Sequence, residues 1–484
     1  MLRWWTMEKE QELEQLKESY KPEDGKEHSL NKMGEMPVGK LIINMSWPAV
    51  LSMLIQALYN VVDSFFVSLI SEQALAAVTY IFPIQMLLIS VGVGTGVGIN
   101  SLISRRLGAN MLDDANMAAN HGYRLSFFNW FLFAFIGIFL SEPIMNLMSD
   151  TPYIVESGTS YMSIITIASI FLLVQVSTEK ILQATGNMKL PMICSIVGAV
   201  ANVILDPVLI FGIGPFPEMG VTGAAVATVT GQFMSMVLGQ IVLFRGKHPV
   251  KVKLFGWKMN RRIIKDIYAV GAPAILMQSI ASIMQFGMNI ILGGLSETAV
   301  AVMGVYGRLQ SFIFMPVFGL NQGVLPIMGY NYGARNRKRL METFKKGFMI
   351  AFIIMALGMI LFQLFPKELL AIFNSQNNQD MYDIGIPALR TISICFIPAS
   401  FGIMSSSIFQ ATGHGFMSLW GSLLRQLIGI LPLAWIFSVI DGLGLVWFAF
   451  PLAEIIGMIY FAFALRHLYR TEIRRLDILQ ENTY

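Results

Sequence analysis

Long uncharged stretches dominate the pattern of apolar and polar positions along this chain. Twelve windows of mostly apolar residues alternate with short polar loops. A helix rising about 1.5 Å per residue needs about 20 residues to cross a hydrocarbon core about 30 Å thick. Backbone groups inside lipid must bond within their own segment, so unbroken windows of this length predict transmembrane helices rather than barrel strands. The windows lie near residues 41–66, 79–103, 123–147, 158–182, 190–212, 221–244, 267–293, 301–329, 347–365, 384–410, 416–438 and 443–465.

Composition supports an all-α polytopic membrane protein. The chain has 484 residues, of which 55% are hydrophobic and 13% charged, whereas soluble domains carry about 25% charged residues. This deficit excludes an ordinary soluble enzyme. Nucleotide, zinc and nucleophile-elbow motifs are missing from the sequence, so we expect no enzymatic activity, no cofactor, and an ion gradient rather than bound ATP as the energy source. Cys194 and Cys395 both fall inside apolar windows and do not suggest a disulfide framework.

The basic residues are sorted by loop. Residues 245–265 hold eight Lys or Arg and residues 331–346 hold six, whereas the alternate loops together hold only Lys367. By the positive-inside rule this predicts a cytoplasmic-membrane protein with both termini in the cytoplasm. The same sorting argues against a nucleic-acid partner. Residues 1–40 are rich in Glu and Lys and lack the apolar core of a signal peptide.

An internal repeat divides the chain into two halves. "WPAVLSML" at 47 matches "APAILMQS" at 272, and "ISEQALAAV" at 70 matches "LSETAVAVM" at 295, both at a separation of 225. "ILQATGN" at 181 matches "IFQATGH" at 408 at a separation of 227, which predicts a two-residue insertion after the third helix of the second half. Two halves of six helices each are parallel repeats, a layout of secondary transporters whose substrate site lies between the halves.

The repeat gives a division of the whole chain. We expect a cytoplasmic tail at 1–40, a first six-helix lobe at 41–244, a basic cytoplasmic linker at 245–265, a second six-helix lobe at 266–466 and a cytoplasmic tail at 467–484.

A run of alternating glycines stands out in the second window. In "ISVGVGTGVGINSLISRRLGA" the glycines are Gly92, Gly94, Gly96 and Gly98, and the repeat pairs two of them with Gly319 and Gly323. The spacing of a nucleotide-binding loop is not met. Small residues in membrane helices let backbones approach closely, so we interpret the run as a packing surface, with a transport hinge as the alternative.

Several motifs resemble one transporter family. "MPVGKLIINMSWPAVLSMLIQALYNVVDSFFV", "SLISRRLGA", "LQATGN", "NVILDPVLIFG" and "MPVFGLNQGVLPIMGYNYGA" are similar to the multidrug and toxic compound extrusion (MATE) family, over about residues 36–466. The resemblance implies two six-helix lobes around a central cavity, and export of organic, often cationic, compounds driven by protons or sodium. The alternative twelve-helix family, the major facilitator superfamily, has a different loop pattern where this chain has "SRRLGANMLDD".

Acidic residues at membrane depth are the candidates for ion coupling, because a charge at a helix centre costs about 2.5–3.5 kcal/mol on insertion scales. Asp63 lies late in helix 1 and Asp206 late in helix 5; Asn202 precedes Asp206 by one helical turn and shares its face. Pro207 frees a nearby carbonyl. These oxygens could bind Na⁺, or the carboxylates could load and release H⁺ in a low dielectric. The resemblance implies that Asp63, Asn202 and Asp206 form the first-lobe cation or proton site, which Thr222 completes.

The second lobe lacks the acids that some family members carry in helices 7 and 10. Glu454 in helix 12 is the candidate replacement, either for substrate or proton handling or within an internal salt bridge. Gln56 and Tyr59 in helix 1 are further substrate-binding candidates. For the bases within apolar windows, pairing with acids or helix ends is the simplest interpretation; these are Lys180 beside Glu179, Arg308, Arg390 and Arg425.

These features predict an antiporter that exports amphipathic organic cations in exchange for H⁺ or Na⁺. Its partners would be small-molecule substrates and membrane lipids, and the two-lobe chain would work as a monomer. An Arg-rich cavity would instead favour the alternative, a transporter that resembles lipid-linked oligosaccharide flippases and carries an anionic cargo.

Overall fold

The computed structural model describes residues 32–246, 248–253, 259–374 and 378–476. Within this part of the chain the secondary structure is helical and contains no strand. Most of the N-terminal tail, part of the basic linker and the last eight residues of the C-terminal tail lie outside the described residues.

Twelve membrane spans confirm the predicted fold class. In the described chain ten helices are long and apolar enough to cross a membrane, and two bent helix pairs, at 42° and 45°, give one further span each. We number the spans α1 Val38–Ser68, α2 Glu72–Gly108, α3 Leu112–Phe139, α4 Pro152–Ile167 with Ser169–Ala184, α5 Lys189–Phe211, α6 Gly220–Arg245, α7 Arg261–Gly293, α8 Glu297–Gly333, α9 Arg337–Leu364, α10 Gln379–Ser393 with Phe396–Ala411, α11 Gly415–Asp441 and α12 Val446–Arg475.

Several spans extend beyond their apolar windows because polar residues continue the helix outside the hydrocarbon layer. The α2 helix, for example, is 37 residues long, which corresponds to about 55 Å. The described chain also contains a four-residue helix at Lys32–Glu35, and α12 continues past residue 466. The end of the predicted N-terminal tail and the start of the predicted C-terminal tail therefore include helical residues. The remaining short helices are Ser141–Met148 and Pro366–Ala371, and a π-helical turn at Leu424–Ile430 interrupts α11.

The helix boundaries follow the internal repeat. The α2 and α8 helices begin at Glu72 and Glu297 and have the same length, and α3 and α9 also begin 225 residues apart. The short helices after α3 and α9 keep this separation, whereas α4 and α10 begin at Pro152 and Gln379, a separation of 227. The two-residue insertion therefore lies before Gln379, in the loop where the sequence predicted it.

Glycines of the repeat join the two lobes symmetrically. Gly94 in α2 packs against Ile275 in α7, and its counterpart Gly319 in α8 packs against Val50 in α1. A Cβ atom added at Gly319 would lie 2.7 Å from the Cα of Val50. Only glycine allows helices to approach this closely, which confirms the packing interpretation for these positions. Gly98 and Gly323 make the same kind of contact, with Ile267 and Ser46 respectively.

The lobes are in close contact at one end of the bundle. An even number of spans puts the start of α1 and the end of α12 on the same side, and the glycine contacts lie in this half. The segment before α1 also crosses the junction, since Asn331 Nδ2 and Arg339 Nη2 donate to the Met33 carbonyl at 3.2 and 3.1 Å. In the opposite half, a Cβ added at Gly304 or Gly307 of α8 would meet open space.

Candidate functional site

A polar groove runs through the first lobe between α1, α4, α5 and α6. Its empty space, including the part that is open to solvent, is about 1050 Å³, and Val93 of α2 and Gln322 of α8 contribute to its wall. Three of the predicted site residues, Gln56, Tyr59 and Asn202, line it directly. The groove therefore combines polar groups with a largely apolar membrane setting, as small-molecule sites do.

At one end of the groove, Asn202 organises a buried hydrogen-bonded cluster. Asn202 Nδ2 donates to Asp206 Oδ1 at 3.2 Å and to Thr228 Oγ1 of α6 at 3.4 Å. The helices can approach here because Gly198 and Gly231 face each other; a Cβ added at Gly198 would lie 2.9 Å from the Gly231 carbonyl oxygen. Asp206 is fully buried in the last turns of α5, rather than pairing with a helix end at the surface.

Three buried oxygen atoms at this end have no hydrogen-bond partner within the described chain. They are Asp63 Oδ1, Asn202 Oδ1 and Asp206 Oδ2. The two carboxyl groups interact electrostatically, although they belong to different helices. A buried acceptor without a partner costs about 1–3 kcal/mol, and carboxylates accept rather than donate when ionised. The arrangement is therefore suited to receive a proton or a cation.

Two tyrosines surround the carboxyl groups. Tyr59 of α1 lies one turn after Gln56 and interacts electrostatically with Asp63 and Asp206. Tyr161 of α4 is buried, contacts Thr228 and interacts with the same two acids. Tyr161 gave no signal in the sequence because it lies within an apolar window, where an aromatic residue is more often packing.

The structure places a different α6 hydroxyl beside Asn202 from the one the sequence proposed. Thr222 lies half-buried in the first turn of α6, next to Gly223, which packs on the backbone of Leu209. Thr228, more than one turn further along α6, makes the hydrogen bond with Asn202. A coupling role for Thr222 stays a prediction.

The described residues contain no group of three or more His, Cys, Asp or Glu side chains arranged for a metal ion. The oxygen ligands available to a coupling ion at this end belong to the carboxyl groups of Asp63 and Asp206 and the side-chain amide of Asn202.

The second lobe contains an ion pair instead. Glu454 of α12 lies 3.0 Å from Arg425 of α11, Oε1 to Nη1, and Arg425 belongs to the π-helical turn. The sequence allowed either substrate or proton handling or an internal salt bridge for Glu454, and the structure shows the salt bridge. Arg308 and Arg390 are exposed, and neither pairs with an acid in the described chain; the Arg308 guanidinium lies 5.9 Å from the ring of Phe373.

The chain forms two parallel six-helix lobes that contact each other at one end, and a polar groove runs through the first lobe. This architecture is that of a multi-pass membrane transporter. A family model confirms this and gives the family. The MatE model matches residues 48–208 and 273–436, one match in each half, so the chain belongs to the MatE family of membrane transporters.

Characterised relatives have different named cargoes. The chain is 25% identical over 424 residues to a FAD transporter of Shewanella oneidensis and 23% identical over 424 residues to the multidrug export protein MepA of Staphylococcus aureus. Each match covers 87% of this chain and 92% of the relative.

Solved MATE structures share the fold. An outward-facing multidrug resistance MATE transporter has a TM-score of 0.84 at 28% identity, covering 93% of this chain and 99% of that one. A Pyrococcus furiosus transporter, described as having a binding pocket of reversed polarity, has a TM-score of 0.83 at 29% identity, covering 94% of this chain and 100% of that one.

Proposed function

We propose that this protein is an antiporter that exports amphipathic, mostly cationic organic compounds in exchange for H⁺ or Na⁺. The observation that carries the proposal is the set of three buried, unpartnered oxygens on Asp63, Asn202 and Asp206; Asn202 lines the groove and hydrogen-bonds to Asp206. A proton or Na⁺ supplies the partner that these atoms lack. Thr222 remains a further candidate for this site.

Asn202 prepares Asp206 for this role. Its amide nitrogen donates to both Asp206 and Thr228, so its own carbonyl oxygen is left as an acceptor. The hydrogen bond fixes Oδ1 of Asp206 and leaves Oδ2 for the incoming ion. Coupling then requires that the loaded and unloaded forms prefer different access states, because only a difference in affinity shifts a conformational equilibrium.

The groove also supports a cationic cargo. Gln56 and Tyr59 line the wall close to the two acids, and an aromatic face and a carboxylate both attract cations. Loss of the coupling ion would leave negative charge for the substrate. Among the residues that line the groove, Lys180 is the basic one, which does not favour an Arg-rich, flippase-like cavity.

We place the end that carries both termini in the cytoplasm, following the basic loops. The contact between the lobes at that end then corresponds to an outward-facing conformation in the cytoplasmic membrane. Each chain contains both lobes, so we propose that the monomer is the working unit.

Ethidium uptake into inverted membrane vesicles tests the proposal. The vesicle lumen corresponds to the outside, so export is measured as uptake under an imposed acid-inside or sodium-inside gradient. Wild type is compared with Asp63→Asn and with Asp150→Asn, a control at an exposed loop acid outside the groove. We expect one gradient to drive uptake in the wild type and in the control, and no driven uptake in Asp63→Asn.

The ion that drives uptake identifies the coupling ion. Uptake by Asp63→Asn at the wild-type rate would refute the assigned site. Failure of both gradients to drive uptake in folded wild-type protein would refute the exchange mechanism for this cargo.

A further inference from the structure

A second group of charged side chains lies at the other end of the same groove. Glu179 and Lys180 are consecutive residues near the end of α4, and both line the groove. They take no part in the proposed ion site. A buried charge at membrane depth is expensive, and residues of this kind mark substrate or ion pathways by default.

Lys180 is a buried cation whose contacts are neutral. Its side chain is only 6% exposed, and Nζ donates to Gln183 Oε1 and to Gln322 Oε1, both at 3.0 Å. No carboxylate lies within 4.0 Å of it in the described part of the chain. Amide oxygens solvate the ammonium without neutralising it, and the acid that interacts with it electrostatically is its neighbour Glu179.

Glu179 is held in place by neutral groups as well. Its Oε1 accepts from Ser195 Oγ at 2.8 Å and from Gln175 Nε2 at 3.2 Å. The groove therefore presents a fixed acid and a fixed base side by side, each oriented by neutral neighbours rather than by the other.

Two further features indicate a built site. Gly96 of α2 makes room for the aliphatic part of Lys180, since a Cβ added there would lie 2.7 Å from Lys180 Cγ. Ser235 of α6 also lines the groove, is only 1% exposed, and its hydroxyl has no partner in the described chain. Buried polar groups normally have partners, so an unpartnered hydroxyl facing a groove is a position for a ligand atom.

The charged pair is separate from the proposed ion site. Ser195, which binds Glu179, and Asn202 are seven residues apart on one face of α5, which corresponds to about 10 Å along the helix. We propose that Lys180 and Glu179 form a subsite for zwitterionic amphiphiles, in which Lys180 binds the carboxylate or phosphate of the substrate and Glu179 binds its cationic group. The inference rests on the proposed export function and extends its substrate class.

A matched pair of dyes tests the subsite. A rhodamine with a free carboxylate is zwitterionic, and its methyl ester carries the same ring cation without the acid. Fluorescence anisotropy of each dye with the purified full-length protein in detergent gives Kd without any ion gradient. We expect Lys180→Gln to raise the Kd of the acid about tenfold or more, the loss of one charge-assisted hydrogen bond, and to change the Kd of the ester less than about twofold.

Lys180→Arg and Glu179→Gln complete the design. Lys180→Arg retains the charge and should keep most of the affinity for the acid, whereas Glu179→Gln should weaken both dyes because both carry the cation. Ester binding by Lys180→Gln also reports that the variant is folded. Equal weakening of both dyes by Lys180→Gln, unchanged binding of both, or absence of acid binding in the wild type would overturn the proposal.

Failure of the export function itself is a separate result. It appears as the absence of gradient-driven ethidium uptake in the wild type, and ethidium has no acidic group to engage Lys180.

Discussion

The α5–α6 pair of the first lobe and the α11–α12 pair of the second occupy equivalent places in the repeat but contain different polar centres. In the first pair, Asp206 is buried with a neutral amide as its partner. In the second, Glu454 is buried against Arg425. At the repeat separation of 227, Asn202 corresponds to Gly429 and Asp206 to Leu433, so neither lobe keeps the polar centre of the other.

The difference shows how the two lobes can divide the work. A salt bridge supplies its own counter-ion, and its net contribution to stability is small or negative compared with an apolar pair, whereas removing one partner is costly. An acid without a base has to obtain its counter-charge from outside the chain. In the proposed function the first lobe therefore exchanges an ion with solution, whereas the buried acid of the second lobe is neutralised by Arg425.

Substituting the acid of each helix pair should give the largest difference in export rate between the two lobes. We expect Asp206→Asn to lower the initial rate of gradient-driven ethidium export by about 10- to 100-fold, the equivalent of one interaction with a charged group. Glu454→Gln should retain export within about threefold in the protein that remains folded, because its charge is already satisfied within the lobe. The measurement is initial uptake per folded molecule in inverted vesicles. Equal losses in the two variants would contradict the division between lobes.

We expect the free energy of unfolding to change in the opposite order, with the larger loss in Glu454→Gln. Glu454→Gln leaves the Arg425 charge without its partner and should lower the free energy of unfolding by about 3 kcal/mol, whereas Asp206→Asn removes an unneutralised buried charge and should be neutral or stabilising. Thermal unfolding in detergent, followed by fluorescence of the eight tryptophans, measures both.

The double variant Arg425→Met/Glu454→Met is the control for this prediction, since it removes both charges and should recover most of the loss. A loss of stability in Asp206→Asn as large as that in Glu454→Gln would show that Asp206 is structural.

Most of the fold followed from the sequence because its determinants are periodic and local. Uninterrupted apolar length predicted the spans, and the repeat predicted the insertion before Gln379 and the paired glycines. The bends within α4 and α10 were not predicted. Pro398 lies four residues after the break at Ile394, and a proline ring clashes with the carbonyl four residues before it, so this bend had a sequence signal that was not used. No charge or proline marks the break at Ala168, and a bend of that kind depends on packing between helices, which a single window does not encode.

The candidate site was less accessible to sequence reasoning. Asp63 and Asp206 were found because a charge in an apolar window is conspicuous. Tyr161 and Thr228 were missed because uncharged residues give no such contrast, and their role depends on how α4 and α6 face α5. Of the neutral partners of Lys180, Gln183 lies one turn further along the same helix, whereas Gln322 comes from a distant part of the chain and emerges only with the packing.

Substitutions at the glycine contacts test a region in which the two lobes should respond equally. Gly94→Ala and Gly319→Ala each place a methyl group against the opposite lobe, at Ile275 and Val50, and overpacking of this kind costs about 1–3 kcal/mol. We expect similar decreases in thermal stability for both. Gly304→Ala, which faces open space, is the matched control and should be neutral. A large effect of only one of the paired variants would show that the asymmetry extends into the junction.

The smallest expected effect distinguishes the two threonines of α6. Thr228→Val removes the hydroxyl that accepts from Asn202 at 3.4 Å, and loss of a hydrogen bond of about 1 kcal/mol should lower the export rate about fivefold. Thr222→Val is isosteric in the same way and should change the rate less than about twofold, because the Asn202 contact is made elsewhere. Initial rates at a fixed gradient measure both. A greater loss in Thr222→Val than in Thr228→Val would favour the sequence-based assignment of Thr222 to the ion site.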